Sequence, residues 1–274
     1  ILFYCGNEAD VTGYWENDKF ITDILAPQLK GYLLFAEHRY FGESLPFGNN
    51  SFTKENLVYL TTDQALADYA VFIRYYKTQV LKCPDCPVIA FGGSYGGMLA
   101  AWMRMKFPNV VDGALAASAP IRMFNNVVDP ELFYQIISWD FGNATTTTCA
   151  ISIREGLRRL TNYSKINGNQ YQAINKYFNL CPPLTSNKNI SDVVDWATNA
   201  YFFIAMLDYP FASSYVTSMP AWPRNFACQA FIGVNESSSD QDLFTALYKS
   251  SMIYYDYPNK TSCNNIYNPN SGSK

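Results

Sequence analysis

The 274-residue sequence predicts an α/β protein: a parallel sheet with helices on both faces, carrying an all-helical insertion. Three observations carry that expectation. Up to about residue 120, apolar runs of strand length alternate with segments of helical spacing, the order that builds a parallel sheet covered on both sides. One strand–helix junction holds Gly92-Gly93-Ser94-Tyr95-Gly96-Gly97, a G-x-S-x-G pattern with extra glycines. Past about residue 122 the strand signals vanish, and helical stretches are separated by Asn, Ser, Thr and Pro clusters.

Ile1–Cys5 is an apolar strand-like run that stops at the turn-prone Gly6-Asn7-Glu8. Residues 18–29 place Phe20, Ile24, Leu25 and Leu29 at helical spacing, and Tyr32–Ala36 is a second buried strand. Thr62–Leu81 is an amphipathic helix, with Ala65, Leu66, Tyr69, Ala70, Ile73, Tyr76 and Val80 on its apolar face. Pro87–Phe91 is a third strand, Tyr95–Phe107 a helix, and Val110–Ala117 a fourth strand. Further helices are expected over residues 131–140, 151–160, 171–178, 192–206 and 241–255. This divides the chain into three parts. Residues 1–122 form the N-terminal part of the sheet domain, 123–260 a helical cap inserted into it, and 261–274 a loop or frayed tail.

Hydrophobic residues make up 49% of the chain and charged residues 16%, ample apolar material for a packed core. The 21 Tyr and 19 Phe suit a deep, amphipathic-walled pocket as well as a core. A formal charge of −3 excludes the basic face that nucleic acid needs. No apolar run reaches the roughly 18 residues of a membrane span. With no initiator Met and no leader ahead of Ile1, the chain reads as a processed or truncated piece. Seven Cys and six Asn-x-Ser/Thr sequons, at Asn49, Asn143, Asn162, Asn189, Asn235 and Asn259, point to the secretory pathway and a lysosomal or extracellular destination. Five of the sequons fall in residues 143–261, which makes that stretch mostly solvent-facing.

The G-x-S-x-G pattern follows a β-branched strand (Val88, Ile89) and precedes a helix, the setting of a nucleophile elbow in an α/β-hydrolase sheet. The turn is so tight that residues two before and two after the serine must be small, and Gly92 and Gly96 stand there. Gly93 and Gly97 are expected to let a substrate approach the backbone. The helix start directs free N–H groups at the nucleophile, which makes the Tyr95 amide one oxyanion donor. The second is expected from the loop Gly6-Asn7-Glu8, with Gly6 donating. Ser94 also needs a His base and an acid, in the chain order Ser, Asp, His on this fold. The single His, His38, precedes Ser94 by 56 residues and reads as a structural histidine. No Asp after Ser94 stands out as the orienting acid.

Longer motifs are similar to those of the prolylcarboxypeptidase and dipeptidyl peptidase II family of serine peptidases. They are Ala36-Glu37-His38-Arg39-Tyr40-Phe41-Gly42-Glu43-Ser44-Leu45-Pro46-Phe47-Gly48, the run from Gly92 to Trp102, Gln64-Ala65-Leu66-Ala67-Asp68, and Gly113 to Pro120. Asp208-Tyr209-Pro210-Phe211-Ala212-Ser213 and Pro220-Ala221-Trp222-Pro223 resemble the same family, the latter leaning toward the prolylcarboxypeptidase branch. The resemblance covers nearly the whole chain. It implies an α/β-hydrolase domain with a helical cap, and cleavage next to proline near a peptide terminus through a Ser94 acyl-enzyme. It further implies that the triad Asp and His lie in a C-terminal hydrolase segment absent from this chain, and that Cys149 pairs with Cys228 and Cys181 with Cys263.

Cys83-Pro84-Asp85-Cys86 has redox-motif spacing without a thioredoxin-like context, so a local disulfide is expected there. The lone His leaves a zinc site short of ligands, and neither metal nor cofactor is expected. Cys5 is left over, either a buried thiol or paired to sequence outside the chain. Proline-containing peptides are the expected substrates, and a second chain could supply the missing triad members or a second copy form a homodimer. A carboxypeptidase needs an N–H-rich or cationic cleft end, an aminopeptidase an acid for the ammonium. Glu8, Glu37 and Asp208 are candidate acids, Asn7 beside Glu8 is a further substrate-binding candidate, and Tyr209, Phe211 and Trp222 either wall a proline pocket or pack in a core. Without a base Ser94 is a poor nucleophile, so the chain alone is expected to be nearly inactive. The competing class is a pseudopeptidase, a glycosylated binding protein that keeps the fold without the charge relay.

Overall fold

The computed structural model describes residues 1–143, 148–257 and 260–267. The chain divides into two compact units, Ile1–Val128 and Asp129–Lys274.

In the first unit β1 (Leu2–Cys5), β2 (Leu33–Ala36), β3 (Ile89–Gly93) and β4 (Gly113–Ala117) form a four-stranded parallel sheet in the order β2-β1-β3-β4. The register pairs Phe3 with Leu34 and Ala90, and Phe91 with Leu115. Side chains alternate faces along a strand, and β1 is buried throughout, so it feeds two cores. Phe3 and Cys5 join Leu66, Ile73, Leu99 and Met103, from α3 (Thr62–Tyr75) and α4 (Tyr95–Lys106). On the opposite face Leu2 and Tyr4 pack with Ile21, Ala26 and Phe91. The segment over that face differs from the single helix expected for residues 18–29. It consists of α1 (Val11–Asn17), a π-turn Phe20–Leu25, and α2 (Ala26–Leu29). Asp10 caps α1 by accepting from the Thr12 amide at 2.8 Å. α3 likewise ends at Tyr75 and widens into a π-turn, Tyr76–Val80. β4 begins at Gly113 rather than Val110, because Val110 and Val111 pack in the core while Asp112 binds the Val88 amide at 2.8 Å.

In the second unit the regular elements among the described residues are helical: α5 (Leu132–Gly142), α6 (Cys149–Lys165), α7 (Gln170–Tyr177), α8 (Ile190–Met206), α9 (Pro223–Gln229) and α10 (Asp240–Tyr255). α6, α8 and α10 pack on one another around Leu160, Trp196, Ala200, Phe244 and Leu247. Disulfides join Cys149 to Cys228 and Cys181 to Cys263, and in the first unit Cys83 to Cys86. Cys5 is a buried free thiol, and burial pushes its pKa up. Of the segment expected to be loop or frayed tail, residues 261–267 are described and Asn264 is tied down. Asn264 is buried, bridges Leu180, and accepts from the Cys181 amide at 2.7 Å. Residues 268–274 lie outside the described residues.

Candidate active site

Ser94 follows the last residue of β3 and caps α4, at φ 54° and ψ −124°. A side chain at positive φ is strained, and here the surrounding bonds enforce it. The Ser94 amide donates to Ala117 at 3.0 Å, and its carbonyl accepts from Met98 at 3.0 Å. The turn closes only because its flanks lack side chains. A Cβ on Gly92 would lie 2.5 Å from the Gly96 carbonyl, and one on Gly96 would lie 2.7 Å from the Cys5 carbonyl oxygen. Gly97 departs from the expected role of admitting substrate. A Cβ there would meet the Ala117 carbonyl at 2.8 Å, so it seats α4 on β4, whereas Gly93 faces open space. The Ser94 side chain is exposed.

Tyr95 opens α4, and a first-turn N–H has no acceptor within its helix. Its hydroxyl is held by His38 Nε2 and Thr62 Oγ1, each at 3.1 Å, and burial raises its pKa. Gly6 does not serve as the second donor. Its amide already donates to the Ala36 carbonyl at 2.9 Å, extending the β1–β2 pairing, and its carbonyl accepts from Tyr69. Next in the loop, Asn7 is buried, with Oδ1 accepting from Tyr4 at 3.3 Å and facing Gly96. Glu8 is exposed, near enough for its charge to act on His38 and Tyr95.

His38 is buried beside the elbow but bonds Tyr95 rather than Ser94, and desolvation lowers its pKa. Its place could have been inferred from its position two residues beyond β2, since ligand sites in parallel sheets gather at the strands' carboxyl ends. Thr62 carried no such signal. Glu37 is consumed structurally, accepting the amides of Val11, Glu43 and Ser44.

Asp208, Tyr209 and Trp222 come together within the helical unit. Asp208 pairs with Arg224 (3.2 Å to Nε) and accepts its amide at 3.1 Å. Trp222, at φ 54°, donates its amide to the Tyr209 carbonyl at 2.8 Å, and Tyr209 stacks on Phe211 at 5.4 Å between centroids. Tyr209, Phe211 and Trp222 are all exposed, which sets aside core packing for this group. Asn49, Asn143, Asn162 and Asn235 are exposed; Asn189 is half-buried and accepts from Ser186; Asn259 lies outside the described residues. Among the described residues no cluster of three His, Cys, Asp or Glu is placed to hold a metal ion, and no helix is long and apolar enough to cross a membrane.

A serine at positive φ in a tight turn between strand and helix of a parallel sheet has the geometry of a nucleophile elbow, and the fold is of the α/β-hydrolase class. The chain belongs to the serine carboxypeptidase S28 family, whose pattern matches residues 1–274. It is 43% identical over 270 residues to the lysosomal Pro-X carboxypeptidase of Homo sapiens, covering 97% of this chain and 53% of that protein. Against the Bos taurus protein of the same name the identity is 42% over 269 residues, covering 97% and 52%. Against prolyl carboxy peptidase like protein 5 of Caenorhabditis elegans it is 39% over 263 residues, covering 94% and 50%. The chain spans about half the length of these curated relatives.

Proposed function

We propose that this chain carries the nucleophile and oxyanion hole of a lysosomal serine peptidase that removes the residue following a C-terminal-proximal proline. The observation that carries the reading is the exposed Ser94, held at positive φ over a helix start by two glycines that nothing larger can replace. Ser94 Oγ attacks the prolyl carbonyl carbon, its proton passing to a histidine base. The oxyanion takes hydrogen bonds from the Tyr95 amide and from an amide of the Asn7–Glu8 loop, since that of Gly6 is occupied. The C–N bond then breaks, the leaving amine takes the proton, and water releases the acyl group from Ser94. His38 cannot be that base, with Nδ1 on the Arg39 carbonyl and Nε2 on Tyr95. A histidine base therefore comes from outside these 274 residues, and we place the Asp that orients it there as well. Within the helical unit, exposed Tyr209, Phe211 and Trp222 present flat apolar faces of the kind a prolyl ring stacks on.

The carboxypeptidase reading is favoured over an aminopeptidase one by the acids. Glu37 is filled by three amides and Asp208 by Arg224, which leaves Glu8 alone to hold an ammonium. The relatives compared above carry the name Pro-X or prolyl carboxypeptidase. The test is a panel of X-Pro-Y peptides digested by the full-length protein, with products read by mass. Loss of the C-terminal residue after proline is expected; release of N-terminal dipeptides would replace this reading with the aminopeptidase one, and no cleavage would favour the pseudopeptidase. A fluorophosphonate probe should label Ser94 in the full-length protein rapidly. The isolated 274-residue chain should label more slowly by about 10⁴-fold, the cost of lacking a base.

A further inference from the structure

His38 stands two residues past the end of β2, at the same carboxyl end of the sheet as Ser94, and is only 1% exposed. Both ring nitrogens are committed. Nδ1 lies 2.7 Å from the Arg39 carbonyl oxygen, which can only accept, so Nδ1 carries the proton. Nε2 of the neutral ring is then an acceptor, and the Tyr95 hydroxyl donates to it across 3.1 Å. With its one proton so directed, the Tyr95 oxygen accepts from Thr62 Oγ1. The donors therefore run in one direction, from Thr62 to Tyr95 to His38 to the Arg39 carbonyl.

The far end of this chain is fixed as well. The Arg39 guanidinium makes paired bonds to Asp68 at 2.6 and 2.7 Å and further bonds to Gln64 and the Tyr59 carbonyl. Arg39, Asp68 and Glu8 are the charged groups that act on His38, and burial outweighs them in keeping the ring neutral. The near end meets the chemistry. The Tyr95 ring packs on His38 with centroids 5.5 Å apart, and the Tyr95 amide opens α4 beside Ser94. Ring and amide share one Cα, so a ring pinned by two hydrogen bonds resists rotation of the residue and holds its N–H in line.

We propose that His38 is a positioning residue for the oxyanion hole, acting through the Tyr95 hydroxyl to fix the amide that receives the developing charge. This rests on Ser94 as nucleophile and the Tyr95 amide as donor. Removing a donor outright costs about 10²- to 10³-fold in rate, so loosening one should cost about 10-fold.

The experiment uses the full-length protein and a prolyl peptide substrate, with kcat expressed per Ser94 titrated to completion by a fluorophosphonate, so that misfolded molecules are not counted. His38→Leu keeps the volume and removes the acceptor; Tyr95→Phe removes the donor. Each is expected to lower kcat about 10-fold with KM within about twofold. The double variant should be no slower than either single one, because both break the same link. His38→Gln, which restores an acceptor toward Tyr95, should recover most of the rate. A merely structural histidine would lower the melting temperature and the titrated fraction but leave kcat per site intact. Single-variant rates within twofold of wild type, or losses that multiply in the double variant, would overturn the proposal. A wild-type protein that neither cleaves nor labels would instead remove the Ser94 reading and this inference with it, a pattern distinct from an active wild type with unaffected variants.

Discussion

At the scale of single residues, the elbow is an arrangement of missing side chains around one strained serine. Holding Ser94 at φ 54° costs about 1–3 kcal/mol, which the sheet and helix bonds on either side offset. The glycines around it are unequal. Gly96 abuts the Cys5 carbonyl and the Asn7 side chain, while Gly93 has nothing within 4 Å of where a Cβ would stand. Gly96→Ala should therefore destabilise the full-length protein by about 2–3 kcal/mol, the cost of overpacking against backbone that cannot move aside. Gly93→Ala should stay within about 0.5 kcal/mol. Thermal melts of the two variants check the contrast, and equal losses would show that the turn, not the contact, sets the cost. Much of this site was legible in the sequence, because a G-x-S-x-G turn between strand and helix leaves few alternatives. The role of Gly97 was not, since its neighbour Ala117 comes from a strand 20 residues later. Nor was the loss of Gly6 as a donor, which depends on how far β1 pairs with β2.

Among the elements, those with a one-sided apolar pattern were readable and those without one were not. α3 shows its buried Ala65, Leu66, Tyr69, Ala70 and Ile73 directly in the sequence. α1 buries no residue at all, and α9 is a seven-residue turn of helix entered through Trp222 in the left-handed region. Neither had a period to detect. The polar clamp between α6 and α10 was equally invisible, being centred on one arginine. Arg159 bonds Glu155 on its own helix, Asp240 at the start of α10, and the carbonyls of Glu236 and Ser238 ahead of it. Tyr163 reaches Asp240 as well. Arg158, one position along, bonds only Glu155 and is mostly exposed. Arg159→Ala should cost about 1–2 kcal/mol through the orphaned carbonyls and carboxylate. Arg158→Ala should cost less than about 0.5 kcal/mol, as an exposed pair does. Chemical denaturation of the helical unit within the full-length protein separates the two. If both variants behave alike, the clamp contributes nothing beyond surface charge.

For the whole molecule the single histidine contributes to how folding responds to mild acid. Burial holds the native His38 pKa below its ordinary 6.5, opposed by the hydrogen bond to the Arg39 carbonyl and by the charges of Asp68 and Glu8, and assisted by the Arg39 charge. The unfolded chain therefore takes up a proton at this site at a higher pH than the native one. Stability from His38 is complete above about pH 6.5 and is lost as pH falls from there through the native value, by at most about 1.4 kcal/mol per pH unit for one proton. Glu155, with its pKa drawn down to about 2 by Arg158 and Arg159, titrates below this window, while burial raises the Asp18 pKa, so the share of His38 is read as a difference between variants. The measurement is the stability difference between wild type and His38→Gln in the full-length protein at pH 7.5, 6.5, 5.5 and 4.5, which cancels every other titrating group. The difference should shrink toward acid, because only the wild type carries the proton-linked loss. A difference that stays flat would mean that His38 titrates alike in both states, and one that grows toward acid would mean that the native ring is the protonated one.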